Sequence, residues 1–229
     1  MPEAHRVQVA PQRLRRWLDG FTQRHGAPAI TLDTVELTLA APDGAEAVLT
    51  LIWGPVTARD PLEELVVLAL RPRRLGALLI RKSSHAVGIF EGYTMTHHSI
   101  GRHYVQGRTK AGGWSQQRYA RRRENQADRA YAKAADAART MLLPVVARLD
   151  GLILGGDVRA VREVLDVPDL APLSTLAARL PGRTLAVSDP NLKVLQQSLS
   201  QFVAVPIRLN DAARTKSALA QRDDEPGQQ

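Results

Sequence analysis

Six consecutive residues, Gly112-Gly113-Trp114-Ser115-Gln116-Gln117, stand inside the most basic stretch of this 229-residue chain. From Arg102 to Arg139 there are ten Lys and Arg against three acids, Glu124, Asp128 and Asp136. Paired glycines tolerate positive φ and add no bulk, so such a segment can enter a narrow cavity and present backbone N–H groups there. Trp114 offers a face on which a base can stack. Downstream, Arg118, Arg122, Asn125 and Arg129 fall at helical offsets 0, 4, 7 and 11 and share one face. Ala127, Ala130, Ala134, Met141 and Val145 lie toward the other side, flanked by Tyr131 and Leu142. Each feature also has a plain structural reading: a turn for the glycines, a packed aromatic for Trp114, a solvated face for the arginines. Their adjacency favours contacts with phosphate.

Other chemistries fit less well. The chain has no cysteine, which excludes disulfides, thiolate metal sites and thiol nucleophiles. His97-His98 and His103 do not suggest a metal site, because adjacent strand residues point to opposite faces and no carboxylate cluster accompanies them. No Gly-Lys-Ser/Thr follows the glycines, as a nucleotide P-loop requires, and there is no Gly-x-Ser-x-Gly nucleophile elbow around Ser115. Gly155-Gly156-Asp157, between a strand and a helix, reads either as an anion-binding turn or as a turn with an Asp cap. A net charge of +8 favours a polyanionic partner, nucleic acid before an anionic membrane. No apolar run approaches the ~20 residues of a membrane helix, and no apolar h-region follows Met1 to Arg6. A soluble, cytoplasmic protein is expected.

The elements that would hold this stretch are a mixed set. Pro11 to His25 is expected as a helix, with Leu14, Trp17, Leu18 and Phe21 on its buried face. An extended segment from Ile30 to Leu39, a turn at Pro42-Asp43-Gly44 and a strand around Val48 to Ile52 follow. Asp60-Pro61 starts a helix to about Leu70. Leu75–Arg81, His85–Phe90 and Tyr93–Tyr104 form an antiparallel meander, and a long helix runs from Ser115 to about Arg148, kinked near Pro144. A strand at Gly151–Leu154, a helix at Val158–Leu165, a strand at Arg183–Val187, a helix at Asn191–Ser200 capped by Asp189-Pro190, and a strand at Val203–Leu209 complete the chain. The fold class is thus α/β, a mixed sheet with packed helices. Residues 1–56 are expected as a helix-and-hairpin attachment, 57–210 as the main domain and 211–229 as a disordered tail.

The run from Gly112 to Arg121 resembles the Gly-Gly-Gln region of archaeal and eukaryotic class-1 peptide release factors. Gly112, Gly113, Ser115, Arg118 and Arg121 match that pattern, with Tyr119 in place of its phenylalanine. Trp114 occupies the glutamine's position and Gln116 follows two residues later. That displaced arrangement is similar to the VLRF group of release-factor-like proteins, which includes the eukaryotic ribosome quality-control factor with ankyrin repeats and a zinc finger. Gly107 to Ala111 and Arg121-Arg122-Arg123 resemble its actinobacterial branch most. The resemblance covers about residues 75–156 and implies a ribonuclease-H-like catalytic domain. It further implies peptidyl-tRNA hydrolysis at the large ribosomal subunit, in ribosome rescue or quality control, without metal or cofactor. Gln116 would position the water, with Gln117 as the alternative register, and Gly112 and Gly113 would shape the loop. Arg108, Lys110, Trp114, Ser115, Arg118, Arg121 and Arg122 would contact tRNA or rRNA. A nuclease cutting tRNA near its CCA end, a non-catalytic ribosome-binding factor and, more remotely, a small-molecule enzyme of the same fold are the alternatives.

Overall fold

The computed structural model describes residues 5–57, 59–102, 130–180 and 183–214. They form a mixed α/β protein of two compact units, 1–71 with 203–229, and 72–202.

The first unit carries a five-stranded antiparallel sheet in the order β1-β10-β4-β3-β2. Its strands are β1 (His5–Val9), β2 (Ala29–Leu32), β3 (Glu36–Ala40), β4 (Glu46–Thr50) and β10 (Val205–Leu209). Two helices, α1 (Pro11–His25) and α2 (Pro61–Leu70), complete its core with Leu14, Leu18, Phe21, Leu65 and Val66 against Leu37, Leu39, Leu49 and Ile207. Both helices begin with proline, whose missing N–H costs nothing there. Asp60 caps α2 by accepting from the Glu63 N–H at 3.2 Å.

The boundaries differ from the sequence expectation. Helix α2 and strand β10, expected in the main domain, belong to the first unit, because β10 is hydrogen-bonded between β1 and β4. The extended segment 30–39 is two strands. Asp33 Oδ1 accepts from the Thr34 N–H at 2.6 Å and turns the chain, which is why the alternation breaks there. Residues 211–214, expected in the tail, continue as a helical turn in which Asn210 Oδ1 accepts from the Ala213 N–H at 3.0 Å. The tail expectation otherwise falls outside the described residues.

On the outer face of this sheet, Arg208 donates through both terminal nitrogens to Glu36, at 2.7 and 3.0 Å. These bonds hold the Glu36 carboxyl below its ordinary value, against the opposing effect of desolvation. A carboxylate depressed in the folded state stabilises above its unfolded pKa and loses that contribution as pH falls through the folded value. Acidification below the usual carboxylate range should therefore lower the melting midpoint of wild type more than that of Glu36→Gln. The difference should be about 1 kcal/mol or less, because the pair is partly exposed. Parallel melting curves of the two proteins against pH would be the contrary result.

The second unit carries a mixed sheet in the order β7-β6-β5-β8-β9. Its strands are β5 (Arg74–Arg81), β6 (Ser84–Glu91), β7 (Thr94–Arg102), β8 (Gly151–Gly156) and β9 (Thr184–Leu185). Strands β5, β6 and β7 form the expected antiparallel meander, while β8 and β9 run parallel to β5. Strands β5 and β6 are apolar almost throughout because helices cover both faces. One face packs Leu78, Ile80, Val87 and Ile89 against a helix over 130–141 (α3), α4 (Val158–Leu165) and α5 (Ala171–Ala178). On the other, Leu195 of α6 (Leu192–Val203) approaches within 3.1 Å of where a Gly88 Cβ would stand.

Helix α3 presents Ala130, Ala134, Ala135 and Ala138 to the core, with Leu142 just past its end, so the buried stripe takes in more small residues than the sequence pattern suggested. It does not run on to Arg148. A 3₁₀ stretch, Leu143–Arg148, replaces it with Pro144 in its first turn, where no N–H is needed. The cap of α6 is Asn191, which accepts from the Val194 N–H at 3.0 Å, and not Asp189.

Candidate active site at the carboxyl end of the second sheet

Arg108, Lys110, Gly112, Gly113, Trp114, Ser115, Gln116, Gln117, Arg118, Arg121 and Arg122 all lie within 103–129, outside the described residues. So do Tyr104, the expected end of β7, and the expected helix start at Ser115. The structure describes the two anchors of that segment, Arg102 and Ala130, and the sheet end that carries them.

The register fixes that end. Arg81 pairs with Ser84, and Ser84 pairs with Arg102, so the three stand abreast. Parallel pairing sets Ile80 beside Gly156, and Gly155 beside Leu185. Strands β5, β7, β8 and β9 therefore all finish on one side of the sheet. Carboxyl ends of strands in α/β sheets are where ligands bind, since loops diverge there around a crevice.

The described residues of α3 begin at the same end. Arg159, in the first turn of α4, is held above its ordinary pKa chiefly by its hydrogen bond to Glu163, and Tyr131, next to the first described residue of α3, lies near enough to add a smaller electrostatic contribution. At the far end, Leu142 and Leu149 come within 3.2 and 3.0 Å of a Cβ placed on Gly76, near the start of β5. Thus α3 crosses the sheet from the Arg81 end to the Gly76 end. Arg102 and Ala130, the described residues on either side of 103–129, therefore both lie on the side where the parallel strands finish.

Close packing holds this end in shape. Gly156 has φ +100°, and a Cβ there would stand 2.1 Å from the Ile80 carbonyl oxygen. That oxygen already accepts from the Asp157 N–H at 2.8 Å. The Asp157 side chain caps α4, accepting from the Arg159 and Ala160 N–H groups at 3.0 and 3.3 Å. Of the two readings of Gly155-Gly156-Asp157, these bonds favour the capped turn. Arg81 is tethered nearby, donating from Nη1 to the Val187 carbonyl at 2.8 Å. Lys82 and Arg102 extend into solvent beside it and make this rim basic.

Sequence reasoning did not foresee the packing at the root of β7. His85, 4% exposed, sits opposite Gly101, and its ring atoms occupy positions 2.2–2.9 Å from where a Gly101 Cβ would be. Only a residue without a side chain lets the imidazole lie against this strand one residue before Arg102. Gly101→Ala must displace the buried ring, at a cost of about 1–3 kcal/mol. The melting midpoint should fall accordingly, and His85→Ala should restore part of the loss in the double variant. An unchanged midpoint for Gly101→Ala would contradict this packing.

His97 and His98 are both exposed on β7, opposite Ile89 and Gly88. Among the described residues, no group of three or more His, Asp or Glu is arranged to hold a metal ion, and no helix is long and apolar enough to cross a membrane.

A basic segment whose flanking residues lie at the carboxyl end of a mixed sheet belongs here to a release-factor-like protein. The chain is a member of the Actinobacteria/chloroflexi VLRF1 release factor family, whose sequence profile matches residues 73–208. Among solved structures it is similar to the archaeal translation termination factor aRF1, at 13% identity over 94% of this chain and 75% of that one, with a TM-score of 0.42. It is also similar to the Vms1 mitochondrial localization core, at 9% identity over 85% and 80%, with a TM-score of 0.38. Archaeoglobus fulgidus Pelota is a further match, at 9% identity over 97% and 69%, with a TM-score of 0.31. No curated protein sequence matches.

Proposed function

We propose that this protein is a peptidyl-tRNA hydrolase that acts at the large ribosomal subunit in the cytoplasm and releases nascent peptide during ribosome rescue or quality control. The observation that carries this is the position of Gly112-Gly113-Trp114-Ser115-Gln116 within the release-factor profile and between Arg102 and Ala130, two anchors at the carboxyl end of the sheet.

The chemistry follows from residue types. Water attacks the carbonyl carbon of the ester, the bond to the 3′ ribose oxygen breaks, and that oxygen takes a proton. The products are a peptide carboxylate and a tRNA with a free 3′ hydroxyl. The Gln116 amide is neutral and both donates and accepts hydrogen bonds, so it can orient the water without titrating. A backbone N–H near Gly112 and Gly113 would stabilise the oxyanion, an effect of roughly 2.7–4 kcal/mol in well-studied cases. Arg108, Lys110, Arg118, Arg121 and Arg122 would hold tRNA and rRNA phosphates, with Ser115 contacting the RNA and Trp114 stacking on a base. The ribosome and the tRNA supply the rest of the reaction environment, so no strong base is required of the protein.

Incubation with large subunits carrying peptidyl-tRNA, followed by electrophoresis of the RNA, tests the proposal. Loss of the peptidyl-tRNA band with recovery of full-length tRNA is expected. A shortened tRNA would instead mark a nuclease, and an unchanged band with stable binding would mark a non-catalytic factor.

A further inference from the structure

We propose that α1 is a second RNA-binding surface, one that grips phosphates through Arg13, Arg16 and Arg24. This surface lies outside residues 73–208 and uses none of the chemistry of the Gly112-Gly113 segment. It therefore stands or falls independently of peptide release.

The arginines of α1 divide by face. Pro11, Leu14, Leu18, Phe21 and His25 are buried against the sheet. On one flank, Arg15 pairs with Glu63 of α2, and Asp19 also acts on Arg15. On the other flank, Arg13, Arg16 and Arg24 stand at offsets 0, 3 and 11, one stripe of a 3.6-residue helix. None of the three makes an ion pair or a side-chain hydrogen bond among the described residues. The helix thus satisfies the one arginine that faces α2 and leaves three cations together without a counter-charge among those residues.

Gly20 lies in the middle of the same stripe. Glycine inside a helix is normally a loss relative to alanine, and here its missing side chain has a use. The Arg24 guanidinium folds back over it, with Nη1 3.0 Å from where a Gly20 Cβ would be. That posture moves the Arg24 charge toward the N-terminus and so toward Arg16 and Arg13. The stripe spans about 16 Å at 1.5 Å per residue.

The chemistry favours a phosphate backbone. Guanidinium groups stay charged at any working pH and bind phosphate through paired donors. No large apolar side chain of α1 is exposed. An interface with an acidic protein ordinarily has an apolar centre, and Trp17, the large apolar residue on this flank, is instead partly buried against the core.

The test is the salt dependence of binding of the full chain to a short labelled RNA duplex, followed by fluorescence anisotropy. Each arginine that stops neutralising a phosphate should reduce the slope of log affinity against log salt by about 0.7–0.9. The triple variant Arg13→Gln/Arg16→Gln/Arg24→Gln should therefore bind with a slope shallower by about 2–3. Arg15→Gln, on the α2 flank, should leave the slope unchanged. Thermal melting of each variant separates weaker RNA binding from unfolding. An unchanged slope in a folded triple variant would overturn the proposal. So would wild-type binding to poly-glutamate in place of RNA, which would assign the stripe to an acidic protein.

Discussion

Replacing Gln116 with alanine is expected to slow peptide release by about 10²–10³-fold, the loss typical when a single group that orients or stabilises an acyl-transfer transition state is removed. Binding to the large subunit should hardly change, because affinity for RNA comes from cations and stacking and not from a neutral amide. The same substitution at Gln117 should cost only a few-fold, since the proposed role takes one amide and Gln116 fills it. Single-turnover release measured with saturating protein separates these effects, because it is insensitive to modest changes in affinity. Equal rates for wild type and Gln116→Ala would remove the proposed role. A large loss confined to Gln117→Ala would move that role by one residue.

The second large effect concerns stability and belongs to Gly156. Alanine there faces two costs at once. Its φ of +100° is a conformation that residues with a side chain rarely adopt, which costs about 1–3 kcal/mol. Its Cβ would also stand 2.1 Å from the Ile80 carbonyl oxygen, a backbone atom held in the β5–β8 ladder. Relief requires β8 to move from β5, which breaks the Asp157-to-Ile80 hydrogen bond and disturbs the cap of α4. Together these predict a loss of about 3–5 kcal/mol, or a melting midpoint lower by roughly 10 °C. Gly155→Ala is the informative comparison. Its Cβ would meet the end of the Leu79 side chain at 2.8 Å, and a flexible tip can turn aside. Its cost should stay near 1–2 kcal/mol. A Gly156→Ala protein as stable as wild type would mean that the two strands are not held as described.

How far the sequence reveals this architecture depends on where each signal resides. Helices α1, α2 and α4 were legible to the residue at one or both ends, because prolines at the first turn, Asp60 and Asp157 are local signals. The meander was legible because turn residues separate apolar runs. Strand β1 and helix α5 were not foreseen. Strand β1 has three exposed residues of five, and α5 begins Ala171-Pro172-Leu173 with little amphipathic contrast. The membership of β10 in the first unit depends on pairing with His5–Val9 and Ala47–Leu49, pairings that local sequence does not encode. Asp189 looked like the cap of α6, but it lies by Arg81 and leaves the cap to Asn191.

The site divides in the same way. Gln116, the glycine pair and the arginines came from a motif and a family resemblance, and membership of the release-factor family supports that class of protein. The supports of the site were not legible. The seat of His85 on Gly101 joins adjacent strands at positions sixteen residues apart, and no local pattern marks which glycine an imidazole will cover. The Arg13, Arg16 and Arg24 stripe was hidden for another reason. The sequence shows four arginines on α1, and only the structure shows which one is paired.

The most direct measurement is mass spectrometry of the peptide released from large-subunit peptidyl-tRNA in oxygen-18 water. Ester hydrolysis by a Gln116-positioned water predicts one heavy oxygen in the new peptide carboxylate and a tRNA whose 3′ adenosine is intact. A peptide still joined to adenosine or to a longer 3′ fragment, with no heavy oxygen at its carbonyl, would contradict it.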